Sequence, residues 1–332
     1  MSQWMIGQTS RTAVGWLVAL GAALPGLGQA VRADAGALIA QGTMEVGFFN
    51  FQEGYNLFAR AAAMAQRGSL DWQRAVFGQA NCAAHLQPAT PARIAEARRL
   101  FMELTADGVE RGLQARAWMS VARIDELRDY RGDEIDLASA RSIYAKLRDG
   151  FADLPIAGEA VLRLAATHIQ TYEEAEVRKG IAQLEEWLAQ RAEQARASGR
   201  SMLEAEPLAP AMWMYLSDSY FMPLDDLARS LACLQEADSL GFLEGGREGA
   251  TLWRAARLAH RLSEQESLAA LERAEYRATA IAFYQRVITQ TPSSGKAYDA
   301  QRRLLGLGVE PPPIQLMRTS GSSAADGGEA PR

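Results

Sequence analysis

From about residue 45 to 307, apolar residues recur three and four positions apart. That is the spacing of one helix face, and no alternating strand pattern interrupts it. Ala, Leu, Arg, Glu and Gln dominate the stretch. Pro88, Pro91, Pro155, Pro207, Pro210, Pro223 and Pro292 fall between the runs, where proline ends or starts a helix. The pattern predicts a first incomplete helix pair ending near 67. Pairs follow over about 69–107, 111–150, 155–198, 207–241 and 247–290, and a closing helix spans about 294–307. Arg191 to Arg200 is polar and Ala-rich and is expected to extend its helix beyond the body.

The helices repeat one another. A small residue is followed by a large apolar one four later and another apolar one three after that. Gly54, Phe58 and Ala61 fit, as do Ala97, Phe101 and Leu104, and Ala140, Tyr144 and Leu147. Gly180, Leu184 and Trp187, then Ser230, Leu234 and Ala237, then Ala280, Tyr284 and Val287 complete the set. The small anchors stand 43, 43, 40, 50 and 50 residues apart. Each triplet lies on one helix face. The small member admits a neighbouring helix, and the large one fills the gap beside it. One such helix cannot bury its stripe alone, so repeats must stack. Between these helices lie partners with Trp72, Trp118, Trp213 and Trp253 on their apolar faces, read as core residues rather than as a stacking platform for a ligand.

Trp213-x-x-Leu216-Ser217-x-x-Tyr220 resembles the first helix of a tetratricopeptide repeat (TPR), with Ser where the family prefers Gly. Ala280-x-x-x-Tyr284-x-x-Val287-x-x-x-x-Pro292 resembles its second helix, terminal Pro included. Ser230, Leu234, Ala237 and Phe242 keep that spacing with Phe for Pro, and Ala97, Phe101, Leu104 and Val109 do likewise. The likeness covers roughly 45–307. Units of 40 to 50 residues, against about 34 in the family, imply longer helices or connections. What the resemblance implies is an all-α, right-handed superhelical solenoid of about six TPR-like helix pairs. It implies protein–protein interaction through the inner face of the first helices, hence a non-catalytic scaffold binding a polypeptide segment. In such a pair, the residue after the Trp position and the one seven further on look into the groove. Trp253 places Arg254 and Arg261 there, and Ala115, aligned to the same position, places Arg116 and Arg123. Trp72 gives Gln73 and Ala80, and Trp213 gives Met214 and Phe221. The four arginines form the candidate partner-binding set, suited to an acidic segment or a chain terminus, because guanidinium groups grip carboxylates at two points. Ordinary solvated cations are the competing reading.

The amino-terminal residues speak of compartment. Arg11 precedes the uncharged apolar run 13–27, AVGWLVALGAALPGL, and small residues follow up to Ala33. That order is a secretory signal, with cleavage expected after Ala33; an uncut signal anchor and a buried N-terminal helix are the alternatives. The run is short for a membrane span, no Cys follows it, and no twin arginine precedes it. The protein is therefore expected to be periplasmic or secreted, without a stable membrane span after cleavage. A short linker is expected over 34–44, and a disordered Pro/Ser/Gly-rich tail over 308–332.

Composition narrows the chemistry. The 332 residues carry 35 bases and 40 acids, a net charge of -5, which becomes -7 once 1–33 are removed. That excludes a nucleic-acid binder, which needs a clustered basic surface. Cys82 and Cys233 are too few for a zinc cluster, and 151 residues of separation disfavour a disulfide in an open array, so both are read as small core residues. His85, His168 and His260 lack a second ligand at metal spacing. Gly241 to Gly246 follows a helix, not a strand, and is read as a helix-ending turn. Glu173-Glu174 and Asp225-Asp226 are adjacent on the chain and point apart, so neither pair makes an acid–base couple; Asp225 is placed near a helix start. No catalytic set, metal or cofactor is expected. A structural solenoid without a ligand, and a helical-repeat enzyme or carbohydrate-binding module, remain as alternatives.

Overall fold

The computed structural model describes residues 34–243 and 249–314. The signal-like segment 1–33 and tail residues 315–332 lie outside the described residues. Those described form fourteen α-helices and no strand, and successive helices pack on one another. This is an all-α helical-repeat array, as the periodicity predicts. The chain divides into two compact units at Thr171/Tyr172.

Unit 1 contains α1 (Ala35–Gly47), α2 (Phe51–Met64), α3 (Leu70–His85), α4 (Pro91–Glu103), α5 (Arg111–Glu126), α6 (Leu137–Gly150) and α7 (Ile156–Ile169). Side chains start these helices where the sequence supplies an acceptor. Ser69 accepts from the Trp72 amide at 3.2 Å, Thr90 from Arg93 at 3.4 Å ahead of Pro91, and Asp136 from Ser139 at 2.9 Å. Besides neighbours in sequence, α1 meets α3, α3 meets α5 and α5 meets α7, so the odd-numbered helices form one layer on which α2, α4 and α6 pack. Phe58 shows what small residues on neighbouring helices do. A Cβ at Gly78 would stand 2.5 Å from its ring and one at Gly42 3.0 Å, so two glycines open the slot that the ring fills. Buried Gln73 ties the loops before α3 and α5 together: its amide donates to the Gly68 carbonyl at 2.9 Å and accepts from the Glu110 amide at 2.9 Å.

Unit 2 contains α8 (Glu174–Ser198), α9 (Met202–Ala205), α10 (Ala209–Phe221), α11 (Leu227–Ser239), α12 (Ala250–Ser263), α13 (Ala270–Gln290) and α14 (Gly295–Gly306). Asp226 caps α11 by accepting from Arg229 at 3.0 Å. Ser217 on α10 and Ser230 on α11 are fully buried and bonded to each other, the Ser217 hydroxyl also donating to the Ser230 carbonyl at 2.9 Å.

Every member of the six anchor triplets is buried, across both units. Cys82 and Cys233 are free and buried, as expected for core residues. Trp72, Trp118, Trp213 and Trp253 are half-buried against the two main cores.

Some boundaries differ from the sequence reading. Residues 34–44 are not a linker: Asp34 caps α1, accepting from the Ala37 amide at 2.7 Å, and Leu38, Gly42 and Val46 are buried. Small residues carried that pattern too weakly to stand out. The tail begins later than 308, because Val309 and Ile314 pack on the unit 2 core and the Gln301 amide reaches the Pro312 carbonyl at 3.3 Å. A Pro-rich strip needs no ladder bonds, so it can lie on a helix pair where composition alone suggests disorder. The pair read over 155–198 is split, with α7 in unit 1 and α8 in unit 2. The end of α8 does not extend freely. Ala195 is buried, Gly199 turns the chain in the left-handed region, and the Trp187 indole donates to Glu206 beyond α9 at 2.8 Å. Asp226, not Asp225, serves the start of α11. Gly241, at φ 75°, ends α11 as the glycine-rich reading predicts, while 244–248 lie outside the described residues.

Candidate functional site

The four candidate arginines fall two to each unit. Arg116 and Arg123 lie seven residues apart on one face of α5, and Arg254 and Arg261 hold the same spacing on α12. The two pairs differ in how their charge is met.

In unit 2 both cations face an acid. Arg254 pairs with Asp218 of α10, donates to the Ser217 hydroxyl at 3.2 Å, and its guanidinium carbon stands 5.4 Å from the Phe221 ring centre. Arg261 is exposed, 4.0 Å from the exposed carboxylate of Asp225. The two candidate cations of unit 2 are thus matched by that unit's own acids.

In unit 1 the guanidiniums of Arg116 and Arg123 have no ion pair or hydrogen bond among the described residues. Arg116 is exposed and rests 5.5 Å from the ring centre of Phe77 on α3. Desolvation by its surroundings, with Arg74 nearby, holds it below the usual arginine range, against the pull of Glu110. Arg123 is half-buried. Burial, then the neighbouring Arg163 cation, lowers it too, although Glu126 and Glu159 pull the other way. Those carboxylates are already engaged. Arg163, itself buried, reaches Glu126 at 3.4 Å and Glu159 at 3.1 Å, and the buried Tyr144 hydroxyl donates to Glu126 at 2.5 Å. Asp125, the other acid at the end of α5, takes two bonds from Arg98 at 3.1 and 3.3 Å and one from the Ser139 hydroxyl at 2.6 Å. The result is a cationic edge: the two acids at the end of α5 are engaged by Arg98, Ser139, Arg163 and Tyr144, while Arg116 and Arg123 pair with no acid among the described residues.

Sequence reasoning placed the arginines and missed their surroundings. Phe77, Arg163 and Asp218 decide whether each charge is free, and none lies near its arginine in sequence; Glu126, three residues after Arg123, is near, but Arg163 and Tyr144 engage it. A signal existed. Polar pairs between repeats stand one period apart, as in Arg163–Glu126, Arg254–Asp218 and Arg111–Asp153, separated by 37, 36 and 42 residues.

Elsewhere in unit 1, an open cleft of about 440 Å³ is lined by Arg67, Trp72, Glu103 and Asp107 among others. Glu103 is held by Arg99 at 2.5 Å and approached by Arg67 at 3.9 Å. Glu103 is thus engaged by two cations. Among the described residues no three His, Cys, Asp or Glu are placed to hold a metal ion, and no helix is long and apolar enough to cross a membrane.

No protein-family profile and no curated protein sequence matches this chain.

Proposed function

We propose that the protein is an exported, TPR-type repeat scaffold that binds an acidic polypeptide segment or chain terminus along α5 of unit 1, through Arg116 and Arg123. The observation that carries this reading is the pair of guanidiniums left without an acid, one of them half-buried, on a helix whose own carboxylates are satisfied. A half-buried cation is costly without a counter-charge, and a ligand carboxylate supplies one with two-point geometry. The TPR assignment is supported by the buried Ser217–Ser230 crossing, where the resemblance puts two small residues. Arg254 and Arg261, matched by Asp218 and Asp225, are secondary.

The test begins with capture of partners from envelope extracts by the tagged protein. Affinity for the captured partner is then measured for Arg116→Glu with Arg123→Glu. Binding should fall at least tenfold in the folded double variant and weaken as salt rises in the wild type. A folded double variant with undiminished affinity defeats the proposal. Arg254→Glu should change binding less.

A further inference from the structure

Helix α1 is apolar on both sides. Leu38, Gly42 and Val46 are buried against unit 1. On the opposite side Gly36, Ala40, Met44, Gly47 and Phe48 are exposed and Ala37 is partly so. At 100° per residue these six positions share about a third of the circumference. None carries a charge. A helix apolar on two opposite faces normally has both covered.

The glycines sharpen the point. Gly42, Gly54 and Gly78 are needed inside, because a Cβ at each would press on Phe58, or on Cys82 and Val46, at 3.1 Å or less. Gly36 and Gly47 have no such reason. A Cβ at Gly47 would meet nothing within 4 Å, and one at Gly36 only its own cap, Asp34. Packing among the described residues does not account for them, and glycine within a helix costs stability. Beside them the turn after α1 holds Phe49 at φ 61°, a conformation that bulky residues seldom adopt. It presents Phe48 and Phe49 to solvent at 71% and 70% exposure, next to Met44 at 54%.

We infer that this face binds a second copy of the same chain, with α1 crossing α1 antiparallel about a two-fold axis. The face is complementary to itself in that direction. Gly36, Ala37 and Ala40 form a shallow end, and Met44 and Phe48 a raised one. Reversal sets the raised end of each copy in the shallow end of the other, and small residues let the backbones approach. Phe48, Phe49, Met44 and the small residues offer about 500 Å² per copy, or about 1,000 Å² in all, the lower bound for a specific interface. The flanking acid Glu45 is drawn aside by the Asn50 amide at 2.8 Å, which keeps like charges from facing across the axis.

Sedimentation of the protein as its host produces it, from about 1 to 100 µM, tests this. A monomer–dimer equilibrium is expected, little changed by salt because the face is uncharged. Met44→Asp with Phe48→Asp should weaken dimerisation at least a hundredfold. Gly47→Leu, whose added Cβ meets nothing within 4 Å among the described residues, should weaken it at least tenfold without lowering helix content or melting. Wild-type protein that is monomeric throughout overturns the inference. So does a dimer that survives all three substitutions, or a monomer that instead floats with neutral lipid vesicles through the same residues.

Discussion

At the scale of single residues, the described chain manages charge by local bonding. Glu110 is a clear case. Bonds from the Gly112 and Leu113 amides, at 2.9 and 2.8 Å, hold its carboxylate below the usual range at the start of α5, the Gly112 bond being the stronger influence. A carboxylate depressed on folding adds stability above its ordinary value, about 4.5, and loses it as pH falls through the lower folded value. Glu110→Gln should therefore lower stability at pH 7 by about 1 kcal/mol, the worth of a helix cap. The gap from wild type should narrow as pH falls from about 4.5 through the lower folded value, as followed by thermal melts across pH; a gap of constant size would show that the carboxylate is not the source. Caps of this kind are half legible in a sequence. Ser69, Thr90 and Asp136 announce themselves as ordinary cap residues. Glu110 does not, because Glu rarely fills that position, and its role depends on backbone geometry. The same holds for Arg116 and Arg254, equivalent in the sequence and each set over an aromatic ring of the preceding odd- or even-numbered partner helix, Phe77 or Phe221. Only the fold reveals that one has Asp218 and the other has no acid.

At the scale of helices, the anchor triplets were legible because their spacing is a property of one helix, and small-to-large order survives substitution. Ala280 is fully buried in the layer with Tyr284 and Val287. Enlarging it overfills a contact that cannot widen, so Ala280→Leu should cost about 1–3 kcal/mol. A lowered denaturation midpoint with unchanged slope is the expected sign. An unchanged midpoint would mean that the α12–α13 crossing has slack that its burial denies. Less legible were elements whose burial comes from small or irregular pieces. Helix α1 has no large residue on its inner side beyond Leu38, Ile39 and Val46, and the 309–314 strip has no periodicity at all. In both, neighbours supply the burial that the segment's own pattern does not advertise.

At the scale of the whole molecule, each unit is built mostly from contacts between helices that are neighbours in sequence, which is why a reading of local periodicity recovers the fold class. Compartment is the matching question for the whole chain. Removal of residues 1–33 would leave Asp34 first in the mature protein, and Asp34 is the cap of α1. Cleavage after Ala33 thus spares the first helix, whereas cleavage two residues later would remove its acceptor and cost about 1 kcal/mol. Mass spectrometry of the protein from its host should find an N-terminus at Asp34 outside the cytoplasm. An intact Met1 in a soluble cytosolic fraction would refute export. Another whole-chain property is the near-absence of lysine, with 32 of 35 bases being arginine.

Lys146 is the one lysine before Thr171, and its ammonium rests 3.7 Å from the ring centre of Trp118. Acylation of that amine keeps the stem and abolishes the charge over the indole. Amine chemistry, harmless to an arginine-rich surface, therefore converges on one side chain of unit 1 and alters the electronic surroundings of one tryptophan, giving the unit an optical label that no substitution is needed to install.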